Sequence, residues 1–141
     1  MSKISVLIIG AGGIANSHLN SLNKMKEYNL FGIFSRTQRK PNLLAKKYGV
    51  QKVLRDFKDI YSQKDNFDLI MILVNVDQIL NIFEKVKHLK KFIFFEKPIG
   101  INLKESLYIT QEVKKLKIRS FVGFNRRYYS VLNKGLKKLK N

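Results

Sequence analysis

Three short clusters in this 141-residue chain hold the residue types from which a site could be built. Gly10-Ala11-Gly12-Gly13-Ile14-Ala15 follows an apolar run and opens a helix-like segment, the arrangement that lets a diphosphate approach bare backbone amides at a helix start. In that reading Gly10 makes the tight turn, Gly12 lets the pyrophosphate near the backbone, the Gly13 and Ile14 amides face the phosphates, and Ala15 packs helix against strand. Glu96-Lys97-Pro98 sets one acid and one lysine at the carboxyl end of a strand, where ligands of doubly wound sheets bind. Ser35-Arg36-Thr37, with Arg39 and Lys40 just beyond, offers a hydroxyl and a guanidinium suited to a phosphate dianion.

The elements that must position these clusters alternate in type. Ile4–Ile9 is a near-continuous apolar run, as expected of a central parallel strand buried on both faces. A helix is expected over 14–25, a strand over 30–34, and a helix over 39–48 that stops at Gly49. A short strand at 53–54 precedes a helical turn capped by Asp56. The next strand spans 69–74, followed by a helix over 78–88 that turns Ile79, Ile82, Phe83 and Val86 inward. Beyond a strand at 92–95, Asn102 caps a helix over 103–116 whose expected buried residues are Leu107, Ile109, Val113 and Leu116. A sixth strand at 119–123 and a final amphipathic helix over 128–139 complete the pattern. This β-α alternation predicts an α/β fold: a doubly wound, mostly parallel sheet of order 3-2-1-4-5-6 with helices on both faces and right-handed crossovers.

In that setting the glycine run gains weight. A lone G-x-G-x-x-A is weak evidence, but here a buried strand precedes it and an amphipathic helix follows, as in a nicotinamide-dinucleotide (Rossmann) domain. No acid stands at the end of the second strand to hydrogen-bond the adenosine ribose and repel a 2′-phosphate. Ser35-Arg36-Thr37 therefore favours NADP over NAD, unless Arg36 merely stacks on adenine, which would serve both. His18, one turn into the first helix, reads as an ordinary exposed or half-buried helix residue.

Composition narrows the function classes. Cysteine is absent and only two histidines occur, which excludes disulfides, thiolate chemistry and a histidine-rich metal site. No apolar run approaches the roughly 20 residues of a membrane span, and the amino terminus lacks the layout of a secretory signal, so a cytoplasmic location is the default. The net charge of +18 invites a nucleic-acid reading. The lysines scatter over helix faces without an accompanying nucleic-acid motif, so a solvated basic surface is the simpler account, one that also suits a phosphorylated cofactor or substrate.

The glycine turn, Ser35-Arg36, the strand from Asp68, Phe95-Glu96-Lys97-Pro98-Ile99 and Gly123-Phe124-Asn125-Arg126-Arg127-Tyr128 occur in an order and spacing that resemble the N-terminal NAD(P)-binding domain of the glucose-fructose oxidoreductase / inositol dehydrogenase / MocA family. The likeness covers essentially the whole chain. It implies an oxidoreductase of sugars, cyclitols or similar small hydroxyl or keto compounds. Lys97 is then the catalytic lysine, reaching the nicotinamide ribose and the substrate hydroxyl, where an ammonium stabilises charge developing on oxygen during hydride transfer. Glu96 sits beside the nicotinamide ribose, Val74-Asn75-Val76 follow the cofactor past the fourth strand, and Asn125 lies near the domain junction. The Lys97-Pro98 bond is one that proline chemistry allows to be cis, aiming the lysine.

Two departures qualify that expectation. The family often carries a histidine shortly after strand four, and Val76-Asp77-Gln78-Ile79 has none. The family's second domain, an α+β unit that supplies proton-transfer groups, has no counterpart here. Residues 1–125 then form the dinucleotide domain and 126–141 a helix leading toward the missing unit. Such a chain is expected to be a truncated or split oxidoreductase with little activity alone, inviting a homo-oligomer or a separate chain bearing the absent domain. A non-catalytic NAD(P)-binding or sensing module is the alternative, and a nucleic-acid-binding protein a more distant one.

Overall fold

The computed structural model describes residues 3–131, 135 and 138. Six strands, β1 (Ile4–Ile9), β2 (Tyr28–Phe34), β3 (Lys52–Leu54), β4 (Leu69–Ile72), β5 (Phe92–Phe95) and β6 (Ser120–Val122), form one sheet of order β3-β2-β1-β4-β5-β6. Every neighbouring pair is parallel. Helices α1 (Gly13–Leu22), α2 (Arg39–Tyr48), α3 (Phe57–Ser62), α4 (Val76–Val86) and α5 (Leu103–Lys115) connect and cover these strands. The expected doubly wound fold and strand order are thus what the chain adopts.

Alternation along each strand divides the core into two layers. Val6, Ile8, Leu30, Ile33, Met71 and Leu73 meet Ala15, Leu19 and Leu22 of α1 and Ala45 and Tyr48 of α2. Leu7, Ile9, Ile70, Ile72, Ile93 and Phe95 meet Ile60 of α3, the α4 stripe Ile79, Ile82, Phe83 and Val86, and Ile109 of α5. Phe67, Phe83 and Phe95 are fully enclosed, each burial contributing about 2–3 kcal/mol. The α4 stripe is the one its spacing predicts.

Local signals fix most boundaries. The Asp56 carboxylate accepts from the Asp59 amide at 2.9 Å and the Asn102 side chain from the Glu105 amide at 2.9 Å, each capping its helix as expected. Gly49 ends α2 in the left-handed region, at φ 68°. Several ends differ from the sequence expectation. Helix α1 stops at Leu22 because the Lys24 and Met25 amides tighten onto the Ser21 and Leu22 carbonyls, leaving Met25 half exposed. Helix α4 begins two residues early and runs into a 3-10 turn at Lys87–Leu89. Leu107, expected in the core, is 50% exposed. It stands two residues from Ile109, about 200° around the helix, so the two cannot face the same layer. The final helix does not start at Tyr128: Asn125–Tyr128 is a 3-10 turn, and helix resumes at Ser130. The rest of the expected 128–139 segment, with Leu132, Leu136 and Leu139, lies outside the described residues apart from Gly135 and Lys138.

One irregularity sets the sheet's register. Val6 pairs with Leu30 but Leu7 pairs with Gly32, so Phe31 is a spare residue bulged from β2. The bulge puts Phe31 and Phe34 in the same core layer although they are three residues apart.

Candidate functional site

Beyond Ile9 and Ile72 the two central strands part. Leu73 still donates to Ile9 at 2.8 Å, and past it a cleft of about 470 Å³ opens at the carboxyl end of the sheet. Its floor is Gly10-Ala11-Gly12-Gly13-Ile14, one wall is Ser35-Arg36-Thr37 with Lys40, and the other is Val74, Asn75 and Gln78. The crevice thus lies where the strand order reverses, the position where doubly wound sheets bind ligands.

The glycines divide the labour. Gly10 turns the chain at φ 122° and is crowded: an added Cβ would stand 2.1 Å from the Leu73 carbonyl oxygen. Its amide donates to the Phe34 carbonyl at 2.8 Å, tying the turn to β2. A Cβ on Gly12 or Gly13 would meet nothing within 4 Å. Those two glycines border open space, the room that a pyrophosphate needs beside the backbone. Gly12 is the N-cap of α1, and neither a side chain caps that helix nor an acid stands in its first turn. Asn75 likewise heads α4 without its side chain capping the helix. The α3 and α5 starts, capped by Asp56 and Asn102, show the contrast. Uncapped amides and the positive end of the helix dipole make the cleft floor an anion seat, so the residues present fit a dinucleotide diphosphate.

The other expected residues fall around the cleft rather than in it. Ala15 is fully buried beneath the floor, packing α1 on the sheet as its size suggests. Val76 is the first residue of α4, packed on the core, and Asn125 lies exposed in the 3-10 turn after β6. Lys97 is exposed, and its ammonium makes no hydrogen bond among the described residues. The Lys97–Pro98 bond is cis. None of Val76, Glu96, Lys97 and Asn125 lines the cleft.

Glu96 does not stand free beside the cleft. Its Oε1 lies 2.6 Å from His18 Nε2, and its Oε2 accepts the Lys97 amide at 3.2 Å. His18 is therefore more than the ordinary helix residue its local sequence suggests. A contact across 78 residues leaves no periodic trace, and the only signal was a histidine on the face of α1 that turns toward β5.

The strongest charge perturbation lies elsewhere. Lys87 is held well above the usual lysine range by its hydrogen bond to Glu112 first and by Glu84 second. The same Lys87 contact holds the Glu112 carboxyl below the usual range. This cluster ties α5 to the end of α4, far from the glycine turn in sequence, and is structural. Among the described residues no cluster of acids and histidines could hold a metal ion, and no helix is long and apolar enough to cross a membrane.

Sheet order, a glycine turn at φ 122° and an uncapped helix start at the switch point together define a dinucleotide-binding Rossmann domain. Residues 4–124 match the GFO_IDH_MocA family, described as an oxidoreductase family with an NAD-binding Rossmann fold, and the chain belongs to that family. It is 29% identical over 137 residues to the glucose-6-phosphate 3-dehydrogenase of Bacillus subtilis (strain 168), covering 94% of this chain and 36% of that protein. It is 27% identical over 133 residues to the myo-inositol 2-dehydrogenase of Thermotoga maritima, covering 94% and 38% respectively. The crystal structure of scyllo-inositol dehydrogenase from Lactobacillus casei, with bound NAD(H) and scyllo-inositol, superposes with a TM-score of 0.87 at 23% identity. That superposition covers 99% of this chain and 41% of the other. The chain thus spans well under half the length of these relatives.

Proposed function

We propose that this chain is the cofactor-binding half of an NAD(P)-dependent oxidoreductase that moves hydride to or from a carbinol carbon of a sugar, cyclitol or similar small hydroxyl compound. The observation that carries the reading is the open floor at Gly12 and Gly13 beneath uncapped α1 amides, walled by Ser35-Arg36-Thr37. The adenosine end lies along Ser35, Arg36 and Thr37, the diphosphate over Gly10 to Ile14 above Ala15, and the nicotinamide end past Val74, Asn75 and Val76 toward Glu96 and Lys97. With Arg36 and Lys40 in the wall and no acid among its residues, the site favours NADP over NAD. Lys97 orients the substrate hydroxyl and stabilises charge on its oxygen.

Proton transfer and substrate selection then fall to polypeptide beyond these residues, carried by the same chain or a separate one. Residues 1–125 bind the cofactor, and the segment from 126, with Asn125 at the junction, leads to that polypeptide. The exposed Phe124, Tyr128, Tyr129 and Val131 suit such a contact. The size of the relatives and the sugar or cyclitol substrates in their names support this division.

Calorimetric titration of the purified chain with NADP+, NAD+ and ADP-ribose tests the site. Saturable one-to-one binding, tighter for NADP+, is expected, and failure of all three to bind overturns the proposal. In an assembly with the substrate-binding half, Lys97→Ala lowers the hydride-transfer rate by about 10²–10⁴-fold.

A second reading, non-catalytic holding of NAD(P), is favoured by the placement of the histidines. His18 is engaged by Glu96, and the His88 ring packs on Tyr61 at 5.2 Å, so neither reaches the cleft. An assembly that binds dinucleotide yet reduces or oxidises no polyol would select it.

A further inference from the structure

Three stretches far apart in sequence converge on the Glu96 carboxylate. From the second turn of α1, His18 approaches Oε1 at 2.6 Å. An ionised carboxylate offers only acceptors, so the imidazole Nε2 carries the hydrogen and donates. The His18 ring is braced edge-on by Phe94 of β5, with centroids 5.2 Å apart. From beyond β6, Gly123 leaves the room. A Cβ there would stand 2.8 Å from the Phe94 ring and 3.4 Å from Glu96 Oε1. The second oxygen of Glu96 accepts the backbone amide of Lys97 at 3.2 Å. His18 and Glu96 are largely withdrawn from water, with side-chain exposures of 25% and 14%, so the contact is less screened than a surface pair.

These contacts form a continuous line: helix α1, the His18 ring, both oxygens of Glu96, the main chain of Lys97. Helix α1 is also the helix whose first amides floor the cleft. We infer that His18 is a positioning residue that works through Glu96 to fix the main chain at Lys97. The lysine is thereby held in register with the helix that seats the diphosphate. This rests on the proposed reading of the cleft as a dinucleotide site. On that reading the lysine meets the nicotinamide end, so loss of His18 weakens the hold on that end alone and leaves the adenosine and diphosphate contacts intact.

The test uses two substitutions and two pairs of ligands. His18→Phe keeps a flat ring against Phe94 but cannot donate, whereas His18→Gln keeps a donor. Titrations compare NAD+ with ADP-ribose, which lacks the nicotinamide, and the same pair bearing the 2′-phosphate. His18→Phe should leave the ADP-ribose Kd within about twofold while raising the dinucleotide Kd about tenfold, the scale of one charge-assisted hydrogen bond. His18→Gln should recover most of that loss. Without ligand, the Lys97 amide resonance should move in His18→Phe and return toward its wild-type position in His18→Gln. An unmoved Lys97 amide, or equal losses for both ligands, overturns the inference. Wild-type affinities equal for NAD+ and ADP-ribose also overturn it, yet leave the cleft reading intact. A wild-type chain that binds neither overturns the cleft reading itself, while the amide measurement still judges the coupling of His18 to Lys97.

Discussion

Gly10 is packed so closely against Leu73 that an added Cβ would stand 2.1 Å from the Leu73 carbonyl oxygen and 2.7 Å from its carbon. Both atoms are main chain at the end of β4, so nothing nearby can swing aside. The φ of 122° adds a second obstacle, because residues with a side chain rarely occupy that region. Gly10→Ala is therefore expected to destabilise the fold by at least about 2 kcal/mol. That corresponds to a fall of roughly 6–10 °C in Tm, to be checked by chemical and thermal denaturation.

Gly12 should behave in the opposite way. Its missing Cβ would project into open space, and its backbone is extended, at φ −85° and ψ −171°. Gly12→Ala should change stability by less than about 0.5 kcal/mol. On the proposed reading of the cleft the methyl group stands in the pyrophosphate's approach, so dinucleotide affinity should fall tenfold or more, about 1.4 kcal/mol. Paired denaturation and calorimetry on both variants separate the glycine that makes the turn from the one that admits the ligand.

Arg36 tests the cofactor preference. Arg36→Ala should weaken NADP+ binding about tenfold or more, as expected for loss of a charge-assisted contact, and NAD+ binding much less. The wild-type preference should also shrink as salt is raised, because an exposed phosphate–guanidinium pair is screened. Equal losses for the two cofactors would identify Arg36 as an adenine-stacking residue instead.

The Lys87 cluster carries a pH prediction. Lys87 is raised by Glu112 and then Glu84, so its contribution is fully present below the ordinary lysine value of about 10.4 and is lost only as pH climbs through its higher folded value. Glu112 is lowered by Lys87, so its contribution is present above the ordinary glutamate value of about 4.3 and fades as pH falls through its lower folded value. Lys87→Met should therefore melt about 2–5 °C below wild type, by a constant margin between about pH 5 and 10. The margin should narrow below pH 4, which melting curves across that range would show.

Sequence patterning revealed what is local and hid what is not. The α4 stripe, the Asp56 and Asn102 caps and the Gly49 stop were legible because each depends on residues a few positions apart. The strand order followed from the alternation of elements and the handedness of their crossovers. The site was half legible. The glycine floor and the Ser35–Thr37 wall each consist of consecutive residues and line one cleft, whereas the His18–Glu96 contact joins α1 to the carboxyl end of β5 across 78 residues. Leu107 is apolar but points about 200° away from the buried Ile109, so residue type without angular position does not mark it as core. The strand over 30–34 is expected, but its bulge is hidden, because an apolar run without alternation gives no sign of which residue is spare.

That spare residue has a consequence for engineering. Phe31 is one residue more than β2 needs to run from Leu30 opposite Val6 to Phe34 opposite Ile9, where the Phe34 carbonyl receives the Gly10 amide. Deleting Phe31 would leave Leu30 opposite Val6 and Gly32 opposite Leu7 in unbroken one-to-one pairing, so the Ser35-Arg36 wall would keep its place over the glycine floor while the core lost the Phe31 ring that lies 6.0 Å from that of Phe67. A designer transplanting this cleft to another sheet can therefore leave the stutter in β2 behind, provided the space vacated by Phe31 is refilled.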